Sequence, residues 1–137
     1  MEQVNVLLFV ESRYKINRKR VKGTVGSVLH KNEIDTPVEV SIAVVGDRKM
    51  RELSKKYKGE DRPRNVLSFS QTEENDKEAG LPNRHGRNSE GFLLLGDIVI
   101  SYPEVIREAS KEEVLVDDKI DELVAHGLSH LLGIQHE

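Results

Sequence analysis

The segment Val38-Glu-Val-Ser-Ile-Ala-Val-Val45 decides how this chain folds. Its apolar residues alternate, β-branched side chains dominate it, and Pro37 and Gly46 bound it, so it reads as a β-strand. Directly after it, Asp47 stands as the N-cap of a basic helix, Arg48 to Lys58, which Gly59 ends. A strand handing over to a helix sets the pattern for the whole chain. Upstream, Val4 to Val10 reads as a first strand, largely buried. From about Asn17 to Lys31, the spacing of Val21, Val25, Val28 and Leu29 predicts one helical face, with Gly23 and Gly26 working against it. Downstream, Val66-Leu-Ser-Phe69 is a short third strand, and Gln71 to Gly91, without periodic hydrophobicity, a long exposed loop. Phe92 to Ile100 is a fourth strand, interrupted by Gly96-Asp97. Tyr102-Pro103 opens a short helix to about Lys111, and a last helix covers about Val116 to Leu132. No linker or internal repeat divides the pattern. The expectation is an α+β fold: a single compact domain over residues 1–137, with a small mixed four-stranded sheet and helices packed on it.

A chain of 137 residues suits one domain. At this length roughly two thirds of the unfolded surface is buried, enough for a core without staples. The absence of cysteine excludes a disulfide framework, a thiolate nucleophile and a cysteine-based zinc finger. The longest purely apolar run, Val6 to Val10, is far short of a membrane span, and no membrane partner is expected. The opening Met1-Glu-Gln lacks the basic region of a secretory signal, so a cytoplasmic protein is expected.

The formal net charge of −3 argues against a strongly basic nucleic-acid coat, yet it averages two unlike segments. Residues 1–64 carry 15 basic and 9 acidic side chains, a balance of +6, and residues 65–137 carry 6 and 15, a balance of −9. The basic excess clusters from Arg13 to Lys22 and from Arg48 to Arg64. Either cluster is a solvated helix face or a local surface for a polyanion; charge alone does not choose.

The chemistry concentrates in the last eleven residues before Glu137, His126-Gly-Leu-Ser-His130-Leu-Leu-Gly-Ile-Gln-His136. On a helix, His126 and His130 stand at i and i+4, so both imidazoles lie on one side, one turn apart. Gly133 permits a left-handed turn that returns His136 toward them. Three nitrogens around one ion, with a position left open, is the pattern of catalytic rather than structural zinc. Ile120, Val124, Leu128 and Leu131 mark the buried stripe of this helix, with both histidines to its side. The plainer alternative is a pair of boundary histidines and an unrelated terminal one. The spacing also fits the zincin signature H-E-x-x-H-x-x-G-x-x-H, but Gly127 stands where that signature has its glutamate general base. Peptide hydrolysis then lacks its proton acceptor, while the glycine leaves space beside a metal for a larger substrate group.

The same eleven residues closely resemble the H-G-x-x-H-L-x-G-x-x-H signature of the YbeY family, metal-dependent endoribonucleases of bacterial ribosomal RNA maturation. Tyr57-Lys-Gly-Glu-Asp-Arg-Pro-Arg-Asn-Val-Leu-Ser-Phe69 and Leu95-Gly-Asp-Ile-Val-Ile-Ser101 resemble two further stretches of that family, in the family's order. Three positions depart from it. Lys58 replaces the usual arginine and loses its bidentate fork, Arg64 stands where threonine is common, and Gln135 replaces an aspartate before the third histidine. The family pattern continues into a helical tail, whereas this sequence stops at Glu137.

The resemblance implies a zinc-dependent, single-strand-specific endoribonuclease acting in ribosomal RNA maturation and ribosome quality control. It would hold one Zn2+ per chain through His126, His130 and His136. Its partners would be single-stranded RNA and the ribosomal subunit, with no DNA expected. Lys58, Arg62 and Arg64 take the role of a cationic clamp on a phosphodiester, against the alternative of an exposed basic turn. Asp97, in an otherwise apolar strand, either orients a ligand histidine or bonds backbone amides. Ser68 and Ser70 read as strand residues. With 4% aromatic residues there is no base-stacking platform, so backbone-led binding is expected. Two other readings remain open: a zinc peptidase-like hydrolase, and a non-catalytic assembly factor in which zinc pins the terminal segment.

Overall fold

A computed structural model describes residues 4–70 and 86–133. Strand β1 (Val4–Val10) leads into helix α1 (Arg18–Lys31), then β2 (Val38–Val45), α2 (Asp47–Lys58), β3 (Val66–Ser70), β4 (Leu93–Ser101), α3 (Tyr102–Glu112) and α4 (Val116–Leu131). The sheet runs in the order β1-β2-β4-β3. β1 and β4 pair with β2 in parallel, and β3 lies antiparallel against β4, so the sheet is mixed as expected. Of the expected long loop, residues 71–85 lie outside the described residues, His85 among them.

Local chemistry accounts for the element ends. Asn17 starts α1 by accepting the Arg20 amide on its side-chain oxygen at 3.0 Å, which offsets the helix-weakening Gly23 and Gly26. At α2 the expected cap shifts by one residue. Gly46 holds the cap position without a side-chain bond, and Asp47 is the first helical residue. Its carboxylate is used elsewhere: it accepts from the Ser101 hydroxyl at 3.1 Å and from Arg107 at 2.9 Å, tying α2 to the β4–α3 junction. Gly59 ends α2 in the left-handed region, at φ 70°, as its type allows.

Two layers of unequal size cover the sheet. On one face, Val38, Val40 and Ile42 of β2 and Ile98 and Ile100 of β4 pack with Val21, Val25 and Leu29 of α1 and Ile120, Leu123, Val124 and Leu128 of α4. On the other, Met50 and Leu53 of α2 meet Ala43, Val45, Leu67, Phe69 and Val99. Beyond α2 that second face thins out, and on β1 Leu7 and Phe9 are 38% and 60% exposed. Charge joins the larger layer: Arg20 of α1 donates to Asp121 at 2.7 Å and to Asp118 at 2.6 Å on α4, and Thr24 donates to Asp121 at 2.9 Å.

One irregularity changes how β4 is read. Leu94 pairs with Glu39, but Val40 pairs with Gly96, so Leu95 and Gly96 together oppose one residue of β2. Gly96 supplies the positive φ of 139°. Such a bulge inverts the alternation of the strand beyond it. Leu93 and Leu95 face the α1–α4 layer, and after the bulge Ile98 and Ile100 do so, leaving Asp97 and Val99 on the α2 side.

The Asn17 cap offers a direct check on this account. Asn17→Ala should lower the unfolding free energy by about 1 kcal/mol in urea denaturation, as cap losses generally do. An unchanged midpoint would mean that α1 is held by packing alone.

Candidate functional site

Helix α4 approaches the sheet where β3 and β4 pair. Its buried stripe of Ile120, Leu123, Val124 and Leu128 fixes its rotation, which leaves His126 and His130 exposed, one turn apart, beside β3. Gly133, at φ 75°, donates its amide to the His130 carbonyl at 3.1 Å and turns the chain as its residue type predicts. The third histidine, His136, lies outside the described residues.

Gly127, between the two histidines, is buried against β4. A Cβ there would stand 2.9 Å from Ile98 Cγ2 and within 3.3 Å of two further atoms of that side chain. The space left by the glycine is therefore filled by Ile98 rather than opened to a substrate, a correction to the sequence reading. Any side chain at this position requires Ile98 to shift, so a glutamate is disfavoured here as well as absent from the sequence.

A recess of about 130 Å³ opens at the junction, lined by Lys58, Arg64, Asn65, Val66, Leu67, Ser68, His126, Gly127 and His130. The fold thus brings two of the three expected cations and both described histidines to one place, from elements about 70 residues apart in sequence. Lys58 lies in the last turn of α2, exposed, and makes no ion pair among the described residues. Arg64 reaches the recess but is tied to Glu60 at 3.1 Å. Arg62 does not line it: its side chain is exposed, and its guanidinium approaches the same Glu60 oxygen at 3.4 Å.

Asp97 is not brought to the histidines. The bulge turns it to the opposite face of the sheet, where it pairs with Ser41 of β2 and Phe69 of β3. Partial burial holds its carboxyl above the usual carboxylate range, and a hydrogen bond from Ser41 works against that shift. It is in no position to orient His126 or His130, which corrects the first of the two roles read for it from sequence.

Ser68, read merely as strand-forming, and Asn65, just before the strand, take part instead. The Ser68 hydroxyl lies 3.0 Å from Nδ1 of His130. Asn65 lines the recess and is anchored on both sides, donating to Glu108 at 3.1 Å and accepting the Ser101 amide on its carbonyl at 3.0 Å. Neither contact is visible from local pattern, because each joins residues that are distant in the chain, Ser68 to helix α4 and Asn65 to helix α3 and the end of β4.

The donor set is compatible with a metal of imidazole preference such as zinc. Two imidazoles share an exposed helix side, and one has a ring nitrogen already engaged by a hydroxyl. Among the described residues no group of three metal-binding side chains is complete, so a third ligand would come from outside them, where His136 lies.

Together these features define a class: a small α+β domain whose last helix presents paired imidazoles to a cationic recess at the edge of a mixed sheet. Residues 8–137 match the family described as Endoribonuclease YbeY, and the chain belongs to that family. It is 38% identical over 101 residues to Endoribonuclease YbeY of Magnetococcus marinus, covering 74% of this chain and 66% of that protein. For Endoribonuclease YbeY of Rhodospirillum rubrum the identity is 38% over 104 residues, covering 74% of this chain and 47% of that protein. A relative of the same name from a Sulfurihydrogenibium species is 31% identical over 137 residues, covering 98% of this chain and 81% of that protein. The chain therefore spans between 47% and 81% of the length of these relatives. The solution structure of TM1509 from Thermotoga maritima shares the fold, with a TM-score of 0.58 at 23% identity over 98% of this chain and 75% of that one.

The close approach at Gly127 predicts the cost of filling it. Overpacking costs roughly 1–3 kcal/mol, and alanine gains roughly 1 kcal/mol over glycine within a helix. Gly127→Ala should therefore lower the unfolding free energy by about 1 kcal/mol, and pairing it with Ile98→Ala should recover part of the combined loss of the two single variants. A stabilised Gly127→Ala protein would show that α4 can move away from β4.

Proposed function

We propose that this chain is a zinc-dependent endoribonuclease that cuts single-stranded RNA, with ribosomal RNA of the assembling or inspected subunit as its substrate. The observation that carries this reading is the convergence of His126, His130 and Lys58 on one recess, in a chain of the YbeY endoribonuclease family. His126 and His130, with His136, are the residues that would hold the metal.

Bound zinc would supply Lewis-acid activation at the scissile phosphodiester. The rest falls to side chains of the chain itself. Lys58, unpaired among the described residues, is placed to neutralise a non-bridging phosphate oxygen. Arg64 adds a second cation, weakened by Glu60. Arg62, further out, would act on the approaching strand rather than at the cut. Among the described residues no Phe, Tyr or Trp lines the recess, so selectivity rests on the backbone and on the single-stranded shape of the substrate. The peptidase alternative is opposed by Gly127 itself, which stands where a glutamate general base would be needed. No helix among the described residues is long and apolar enough to cross a membrane, which is compatible with a cytoplasmic site of action.

Metal analysis of the purified protein should find one zinc per chain. The loaded protein should cleave unstructured RNA and leave an unstructured polypeptide intact. His130→Ala should abolish cleavage, and Lys58→Ala should reduce it roughly tenfold to hundredfold, with a smaller loss of binding. RNA cleavage undiminished in His130→Ala would remove the metallonuclease reading. Bound zinc without cleavage of any RNA would favour an assembly factor instead.

A further inference from the structure

We infer that Ser68 is a positioning residue for His130: its hydroxyl accepts the Nδ1–H of that imidazole and thereby commits Nε2 to the metal. The inference rests on the metal-dependent reading of the recess and extends it to a residue outside the ligand set.

The geometry is specific. Ser68 Oγ lies 3.0 Å from His130 Nδ1, and the two residues come from different layers, 62 positions apart in the chain. No other partner engages His130 side-chain nitrogens among the described residues. Ser68 is held on a strand that cannot easily shift. It pairs with Ile98 of β4, its neighbour Leu67 is buried, and the start of β3 is fastened by the bond from the Ser101 amide to Asn65 at 3.0 Å. The same Ile98 packs beneath Gly127, so one residue of β4 sets both the height of α4 and the position opposite Ser68.

The chemistry gives the direction of the bond. A neutral imidazole carries one N–H and one lone pair, and a metal takes the lone pair. A hydroxyl can donate or accept, but with Nδ1 engaged by Ser68 the nitrogen left to ligate is Nε2, and once Nε2 gives its lone pair to a metal the proton sits on Nδ1 and the hydroxyl accepts it. Metal-bound histidines generally fix their second nitrogen in this way, commonly on a carboxylate or a backbone carbonyl. Asp97 seemed suited to that task in sequence, but it faces the other side of the sheet. A hydroxyl in its place orients the ring without bringing negative charge beside the ion. The ligand stays less basic and the recess keeps more positive charge for a phosphate.

Zinc affinity of the full chain, measured by competition with a chromophoric chelator, tests this without any cleavage assay. Ser68→Ala should weaken zinc binding roughly tenfold to hundredfold, as losses of such outer partners do. Ser68→Thr, which keeps the hydroxyl, should bind within a few-fold of the parent, and the thermal midpoint of the metal-free protein should be alike in all three. Nitrogen-15 NMR of the zinc-loaded protein should place the metal on His130 Nε2, with an Nδ1 proton that exchanges slowly in the parent and fast in Ser68→Ala. Equal zinc affinity in Ser68→Ala, or a metal on His130 Nδ1, overturns the inference and leaves the metal reading standing. A parent chain that binds no zinc overturns both.

Discussion

The contact between Gly127 and Ile98 is the constraint on which the site depends. A helix can come this close to a sheet only where it lacks a side chain, and here the absence falls between the two histidines. With α4 set down at that point, its buried leucines and valine fix its rotation, and His130 comes level with Ser68 on the neighbouring strand. The site is thus a by-product of core packing. Its imidazoles are placed by apolar surface, and only then trimmed by a hydrogen bond.

The charge asymmetry resolves into pairing within the chain. Part of the basic excess of the first half meets the acidic excess of the second across the α1–α4 contact, through Arg20 with Asp118 and Asp121. Another part is matched locally, Arg51 with Asp61 at 3.9 Å and Arg62 and Arg64 with Glu60. These pairs are exposed and individually weak. What they do is subtract cations from the surface, so that the basic run before β3 leaves Lys58 as the charge at the recess without a counter-ion among the described residues.

The strands, the helices and the side of α4 that carries His126 and His130 are legible in the sequence because each rests on local pattern. Alternation in β2, the 3.6-residue stripe of α4 and the glycines that end α2 and α4 all translate directly. Asp97 shows where pattern stops. Counting from Leu93 and Leu95 puts it on the histidine side, and the bulge at Leu95 and Gly96 reverses that count, because an extra residue is visible only once a partner strand is there to be out of step with. Asp47 misled for a related reason: a residue suited to capping was claimed by Ser101 and Arg107, more than fifty positions away. Ser68 was seen as a strand residue and is one; its second role needed α4 alongside.

Glu60 has one more consequence. Its carboxylate already occupies Arg64, so a phosphate arriving at Arg64, unlike one at Lys58, would exchange one anion for another rather than meet a bare cation. Such an exchange yields little net energy for a single phosphate at Arg64, whereas a strand that displaces Glu60 from Arg64 and Arg62 together and also reaches Lys58 would gain at three cations for the loss of one carboxylate. On the proposed reading the recess then discriminates by valency: it retains a polymer and releases short fragments, which limits inhibition by its own products.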